Sequence, residues 1–294
     1  MTKSPNRIRL ALRVGVFAAA FYGFAYVSTP LLIWLAGYLA GVTFGTLFGA
    51  VFATWLCLRI YEDIPITAIG LWWNGSARDN LLLGLAGGIG AACLAVGPLF
   101  LTGGAKIVRY EAPSGGGIVV GLFCLSAGAV GEEMAFRGYG FQLLLSKLGA
   151  WAAIIPVGIA FGLMHAANPD STRFGIVNTA GFGIAFGYAY LRSRDLWLPI
   201  GLHFGWNCAL PAFGANLSGL KIFREILGYE AVWKTDAIWS GGAYGPEASV
   251  LTSASLVALC VYLWKAPIRR QPSPIVDRPK PEPAPEAPPL QPYF

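Results

Sequence analysis

"GEEMAFRGYG", residues 131–140, sets Glu132, Glu133 and Arg137 inside a run of sequence that otherwise reads as membrane. A charge at the centre of a bilayer costs about 2.5–3.5 kcal/mol on the mildest scale. Such groups persist in apolar surroundings when they are paired with one another or when they do chemistry. Outward from this stretch the chain stays apolar: 294 residues, 55% hydrophobic and 12% charged, against roughly 25% charged in soluble domains. An ordinary soluble protein is excluded.

A bilayer span needs about 20 apolar residues. Eight windows approach that length: 14–36, 39–59, 80–102, 117–145, 150–167, 174–192, 195–213 and 249–265. They predict an all-α, polytopic membrane helix bundle of about eight transmembrane helices. The window 117–145 is long enough to require tilt or protrusion. The apolar run after the basic start "MTKSPNRIRLALR" is too long for a signal peptide's core, and no small-residue cleavage site follows it, so it is expected to be retained as the first membrane helix.

Lys and Arg placement sets the expected orientation. With the N-terminus cytoplasmic, Lys3, Arg7, Arg9, Arg13, Arg59, Arg78, Lys147, Arg192, Arg194, Lys265, Arg269, Arg270, Arg278 and Lys280 share one side. Lys106, Arg109, Arg173, Lys221, Arg224 and Lys234 take the other. The imbalance predicts both termini in the cytoplasm of a plasma (inner) membrane. It also accounts for the net charge of +6, and no basic, aromatic-laced patch points to nucleic acid. The five cysteines all fall inside expected spans without CxxC spacing and read as small buried hydrophobes.

The chain divides at residue 265. Residues 1–265 are expected to form one transmembrane domain with its motif core at about 120–210. Residues 266–294 hold ten of the twenty prolines and read as a disordered, proline-rich cytoplasmic tail. The longest loop, 214–248, carries Trp233 and Trp239 and could serve as a lid or an interfacial segment. Glycine runs such as "GGIG" (88–91) and "GFGIAFG" (181–187) fall within spans, where small residues let helices approach closely.

Polar side chains are scarce enough to follow singly. The only two histidines are His165, ending "FGLMH" (161–165), and His203, opening "HFGWN" (203–207). Residues four apart share a helix face, which pairs Phe161 with His165, His203 with Asn207, and Glu133 with Arg137. Glu133 and Arg137 can neutralise each other. Glu132, His165, His203 and Asn207 are left without local partners and are expected to meet around a water-filled cavity. A carboxylate and a histidine can draw a proton from water; a second histidine and an asparagine can donate to a developing oxyanion. Those are the parts for amide hydrolysis. Ser126 lacks the GxSxG context of a serine nucleophile, and no HExxH zinc motif is present.

Taken together, "EEMAFR", "FGLMH" and "HFGWN" resemble the EExxxR, FxxxH and HxxxN motifs of the CPBP intramembrane proteases. That family includes the type II CAAX prenyl proteases and bacteriocin self-immunity ("Abi") homologues. The resemblance covers about 120–210 and implies a membrane endopeptidase. In it Glu132 and His165 activate water, His203 and Asn207 form the oxyanion hole, and Glu133, Arg137 and Phe161 support them. Its substrates would be membrane proteins or peptides, prenylated ones among them. No cofactor is favoured; zinc held by Glu132, His165 and His203 is the alternative. A polar-relay transporter and a non-catalytic immunity or scaffold protein remain alternative readings. One difficulty stands in the way of a shared site: His165 lies about 15 residues into its window and His203 about 8 into its own, a depth difference of about 10 Å.

Overall fold

A computed structural model describes residues 7–110 and 114–277, with the side chains of residues 222 and 223 excepted. Lys3, Arg278, Lys280 and the proline-rich sequence from 278 onward lie outside the described residues. Among the described residues the fold is a helical bundle with one small two-stranded sheet. In chain order the elements are α1 (Arg7–Ala36), α2 (Tyr38–Tyr61), α3 (Gly75–Leu101), β1 (Ala105–Arg109), α4 (Gly115–Arg137), α5 (Tyr139–Leu148), α6 (Ala150–Met164), α7 (Arg173–Ser193), α8 (Trp197–Ala212), α9 (Ile222–Leu227), β2 (Tyr229–Trp233), α10 (Ala237–Ser240) and α11 (Val250–Lys265). Strands β1 and β2 pair antiparallel, Ala105 opposite Trp233 through Arg109 opposite Tyr229.

Among the described residues, six helical stretches are long and apolar enough to cross a bilayer: Arg7–Ala36, Tyr38–Tyr61, Gly75–Leu101, Gly115–Leu148, Ala150–Ala167 and Arg173–Ser193. Bulky apolar side chains such as Tyr26, Trp34, Leu101 and Trp264 stand exposed on the outside, as lipid contact requires and water would not favour. The chain is an integral membrane protein. The count of eight spans is not carried over. The windows 195–213 and 249–265 are helical, yet α8 and α11 have 16 residues each, about 24 Å against a hydrocarbon thickness of about 30 Å.

Helix α8 is apolar because it is the centre of the protein. Leu198, Ile200, Leu202, Trp206 and Leu210 are all buried. Its first turn starts beneath a cover. Asp195 is fully buried and accepts the Leu198 N–H at 3.2 Å, and the Leu196 N–H is bonded to the Gly70 carbonyl at 3.0 Å. Burial pushes the Asp195 carboxyl up, while hydrogen bonds from Asn80, Leu198, Gln271 and Ser193 pull it down.

Part of that cover comes from the segment expected to be a solvated tail. Residues 266–277 run back over the end of α7 and α8. The Gln271 side chain accepts from Trp72 at 2.9 Å and Asn74 at 3.0 Å and donates to Asp195 at 3.2 Å. Ser273 and Ile275 are buried, and Asp277 pairs with Arg194 at 3.8 Å. Packing therefore continues twelve residues past the expected boundary at 265. Proline blocks helix and ladder formation, but an extended strap can dock through its side chains alone.

The expected span 117–145 falls within one long apolar stretch, Gly115–Leu148, interrupted at one residue so that it comprises α4 and α5. The chain breaks at Gly138, where an added Cβ would lie 2.1 Å from the Met134 carbonyl oxygen. Helix α5 follows from Tyr139, and α6 starts afresh after Gly149 at φ 91°. The loop 214–248 is likewise structured, through α9, β2 and α10.

Glycine faces set how closely the helices meet. On α3, a Cβ at Gly88 would lie 2.1 Å from the Leu202 carbonyl oxygen of α8; on α8, one at Gly205 would lie 2.7 Å from the Leu85 carbonyl oxygen of α3. Gly205 is two residues past His203, so the helix that presents the histidine is located by backbone contact. Gly88→Ala is expected to destabilise the protein by about 1–3 kcal/mol through overpacking. Gly90→Ala, with nothing within 4 Å, is expected to be neutral or stabilising by up to about 1 kcal/mol through helix propensity. Thermal unfolding of both variants in one detergent or lipid condition checks the contrast.

Candidate functional site

Helix α4 carries the first cluster. Glu133 and Arg137 are both fully buried, and Arg137 Nη1 donates to Glu133 Oε1 at 3.2 Å, the i,i+4 pair the spacing predicts. Arg137 Nη2 donates across to the Gly183 carbonyl of α7 at 2.8 Å. Three rings surround the guanidinium, Phe161 at 4.8 Å, Phe186 at 5.4 Å and Phe136 at 5.7 Å. A cation stripped of water is held here by one carboxylate, one carbonyl and ring faces.

The same Glu133 oxygen also receives His203 Nδ1 at 2.9 Å. Glu133 thus serves His203 as well as Arg137, a partner that lies seventy residues away and not on the histidine's own helix. A carboxylate only accepts, so Nδ1 carries the hydrogen and Nε2 is the nitrogen left for the cavity. His203 Nε2 stands 3.8 Å from Glu132 Oε2. The imidazole lies flat against Phe186 at 5.2 Å, which holds its plane. Glu132, one residue before Glu133 and about 100° around the helix, keeps its side chain 31% exposed. The two adjacent acids thus sit in different surroundings, one sealed and one on the cavity wall.

His165 caps the C-terminus of α6. Its Nδ1 lies 2.8 Å from the Phe161 carbonyl. A carbonyl accepts only, so Nδ1 is again the donor and the neutral ring keeps a lone pair on Nε2. The Phe161 ring stands between the two histidines, 4.8 Å from His165 and 5.9 Å from His203. It is a spacer that both imidazoles pack against.

Glu132, Phe161, His165, His203 and Asn207 all line one cavity of about 250 Å³. With liquid water taking about 30 Å³ per molecule, that is room for several waters or for part of a peptide. Residues expected to meet do line one space: His165 at the end of α6 and His203 on α8 face the same cavity, with the Phe161 ring against both.

The zinc alternative needs a third donor beside Glu132 and His203. Among the described residues no three His, Cys, Asp or Glu side chains gather closely enough to hold a metal ion.

Sequence reasoning passed over Glu247, which is buried and lines the same cavity. It lies in the turn Pro246–Ala248, with no spacing that ties it to the three motifs. It also gave no role to Trp206, inside "HFGWN", whose indole reaches Glu247 Oε1 at 3.4 Å.

The geometry agrees with a family comparison. Residues 114–209 match the model described as type II CAAX prenyl endopeptidase Rce1-like. The matched segment runs from the start of α4 to the last turn of α8 and contains all three motifs, so over this part the chain is similar to the CAAX proteases that the motifs resemble. No curated protein matches the chain.

The two neighbouring glutamates should separate in stability measurements. Glu133→Ala strands Arg137 without its carboxylate and is expected to cost roughly 3–5 kcal/mol. Glu132→Ala, on the cavity wall, should stay within about 0.5 kcal/mol of wild type. Matched thermal or denaturant unfolding in one detergent checks this, and equal losses would contradict the assignment.

Proposed function

We propose that the protein is an intramembrane endopeptidase that hydrolyses peptide bonds of membrane-associated proteins or peptides by a metal-free, glutamate-dependent mechanism. The observation that supports this reading is that residues of three motifs, on α4, α6 and α8, line one cavity. Glu132 accepts a hydrogen bond from a water molecule and orients it, and the Nε2 lone pair of His165 takes a proton from that water. The water oxygen bonds to the scissile carbonyl carbon, and the carbonyl oxygen becomes an oxyanion. His203 and Asn207 donate to that oxygen. The proton then passes to the amide nitrogen as the C–N bond breaks.

For His203 to donate from Nε2 while Nδ1 donates to Glu133, the ring must be an imidazolium. Its surroundings suit that form: Glu133 at 2.9 Å from Nδ1 and Glu132 at 3.8 Å from Nε2. Two carboxylates, one guanidinium and one imidazolium then balance in charge inside the membrane. Arg137 and Glu133 act by holding His203, and Phe161 by spacing the histidines.

Prenylated CAAX peptides are the substrate class named by the matched family and the first to try. Both termini are placed in the cytoplasm on the distribution of Lys and Arg. The structure adds that Arg13 pairs with Glu62 and that Arg192 bonds the α11 carbonyls of Leu263 and Trp264, which brings these basic residues to helix ends that share a side in the proposed topology.

The test is a comparison of protein termini in native membranes carrying wild type or Glu132→Ala at matched abundance. New termini are expected with the wild type only; identical sets would count against a protease. With a substrate in hand, Asn207→Ala should lower kcat by about 10²–10³-fold. Activity of the purified protein should survive exhaustive chelation, and a loss that zinc restores would overturn the metal-free mechanism.

A further inference from the structure

Glu247 belongs to none of the three motifs, yet it faces the cavity that they line. Its carboxylate is built in. Oε1 accepts from Ser218 Oγ at 3.0 Å and from Trp206 Nε1 at 3.4 Å, and Oε2 accepts from the Ser218 N–H. The turn that carries it is pinned from two helices. Asn178 of α7 donates to the Glu247 carbonyl at 2.8 Å and to the Ser249 carbonyl at 3.0 Å, and Ser253 of α11 donates to Asn178 at 2.8 Å. Thr252 donates to the Pro246 carbonyl at 2.6 Å.

A buried carboxylate is expensive unless something uses its charge. Ser218 and Trp206 are neutral donors and supply no counter-charge. His165 lines the same cavity as Glu247; burial holds the Glu247 carboxyl above the usual carboxylate range, and a positive charge on His165 would oppose that. N–H donors on both oxygens also favour the ionised form.

We infer that Glu247 is a positioning residue of this centre, a fixed carboxylate anchored by Ser218 and Trp206 whose charge supports His165 when His165 holds the proton taken from water. The inference rests on the endopeptidase reading. His165 is neutral before the attack and gains charge during it, so Glu247 acts more strongly in the transition state than in the ground state. Its loss should therefore appear in kcat and not in KM. Anchoring through Trp206 ties the same carboxylate to the turn of α8 that bears Asn207.

The experiment uses the full-length protein in lipid vesicles and a farnesylated, internally quenched peptide ending in a CAAX sequence. Wild type, Glu132→Ala, Glu247→Gln, Glu247→Asp and Ser218→Ala are compared for kcat, KM and thermal unfolding. Glu247→Gln, which keeps the shape and removes the charge, is expected to lower kcat by about 10²-fold, the scale for one preorganised electrostatic partner, with KM within about twofold. Glu247→Asp should retain clearly more activity than Glu247→Gln. Ser218→Ala removes an anchor but no charge. It should lower kcat about threefold at unchanged KM, and it decides the matter if Glu247→Gln fails to fold. Wild-type kcat in Glu247→Gln, equal losses in the Gln and Asp variants, or wild-type kcat in Ser218→Ala would overturn the inference while the endopeptidase reading stands. Wild-type turnover no faster than that of Glu132→Ala would overturn both.

Discussion

One carboxylate oxygen, Glu133 Oε1, joins α4 to α8. It accepts from Arg137 on its own helix and from His203 seventy residues later. Neither donor is solvated, and removing the acceptor would strand both. Its cost is offset only because every element around it is in register: Gly183 bare enough to lend its carbonyl to Arg137, Phe161 and Phe186 flat enough to face the guanidinium and the imidazole. The rest of the arrangement follows from satisfying this group. With Nδ1 committed to Glu133, His203 has one free nitrogen, and the cavity lies beside it.

Backbone contact between helices makes that register possible. Lipid tails are as apolar as leucine, so membrane helices gain little from burying apolar surface against each other and associate through close packing and hydrogen bonds. Gly88 and Gly205 let α3 and α8 touch along their backbones, and Gly158 and Gly183 do the same for α6 and α7. The helices bearing His203 and His165 are therefore located by contacts with little slack. A site built from three helices needs such precision, since displacement by an ångström is enough to lose catalytic geometry.

The acids at 132 and 133 show how far spacing alone can reach. Periodicity separates them by about 100° and pairs Glu133 with Arg137, and both features are present. That Glu133 also holds His203 could not be read, because it depends on where α8 passes α4. Glu247 was illegible for the same reason in a stronger form. Its turn has no periodic signal, and its neighbours come from α7, α8, α11 and the Ser218 loop. The strap at 266–277 was misjudged because proline content reports the absence of helix and says nothing of docking, which Gln271 and Ile275 accomplish through side chains.

By itself the sequence determined the class of molecule and the identity of four of the polar residues that line the cavity, Glu132, His165, His203 and Asn207. Both are local or statistical properties: apolar runs of bilayer length, and rare polar groups at helical spacing on separate runs. The tertiary structure alone decided the break at Gly138, the buried first turn of the short α8, the sharing of Glu133 and the presence of Glu247. Each of these depends on which backbones approach one another and how closely. That is a property of packed pairs of segments, and no single segment carries it.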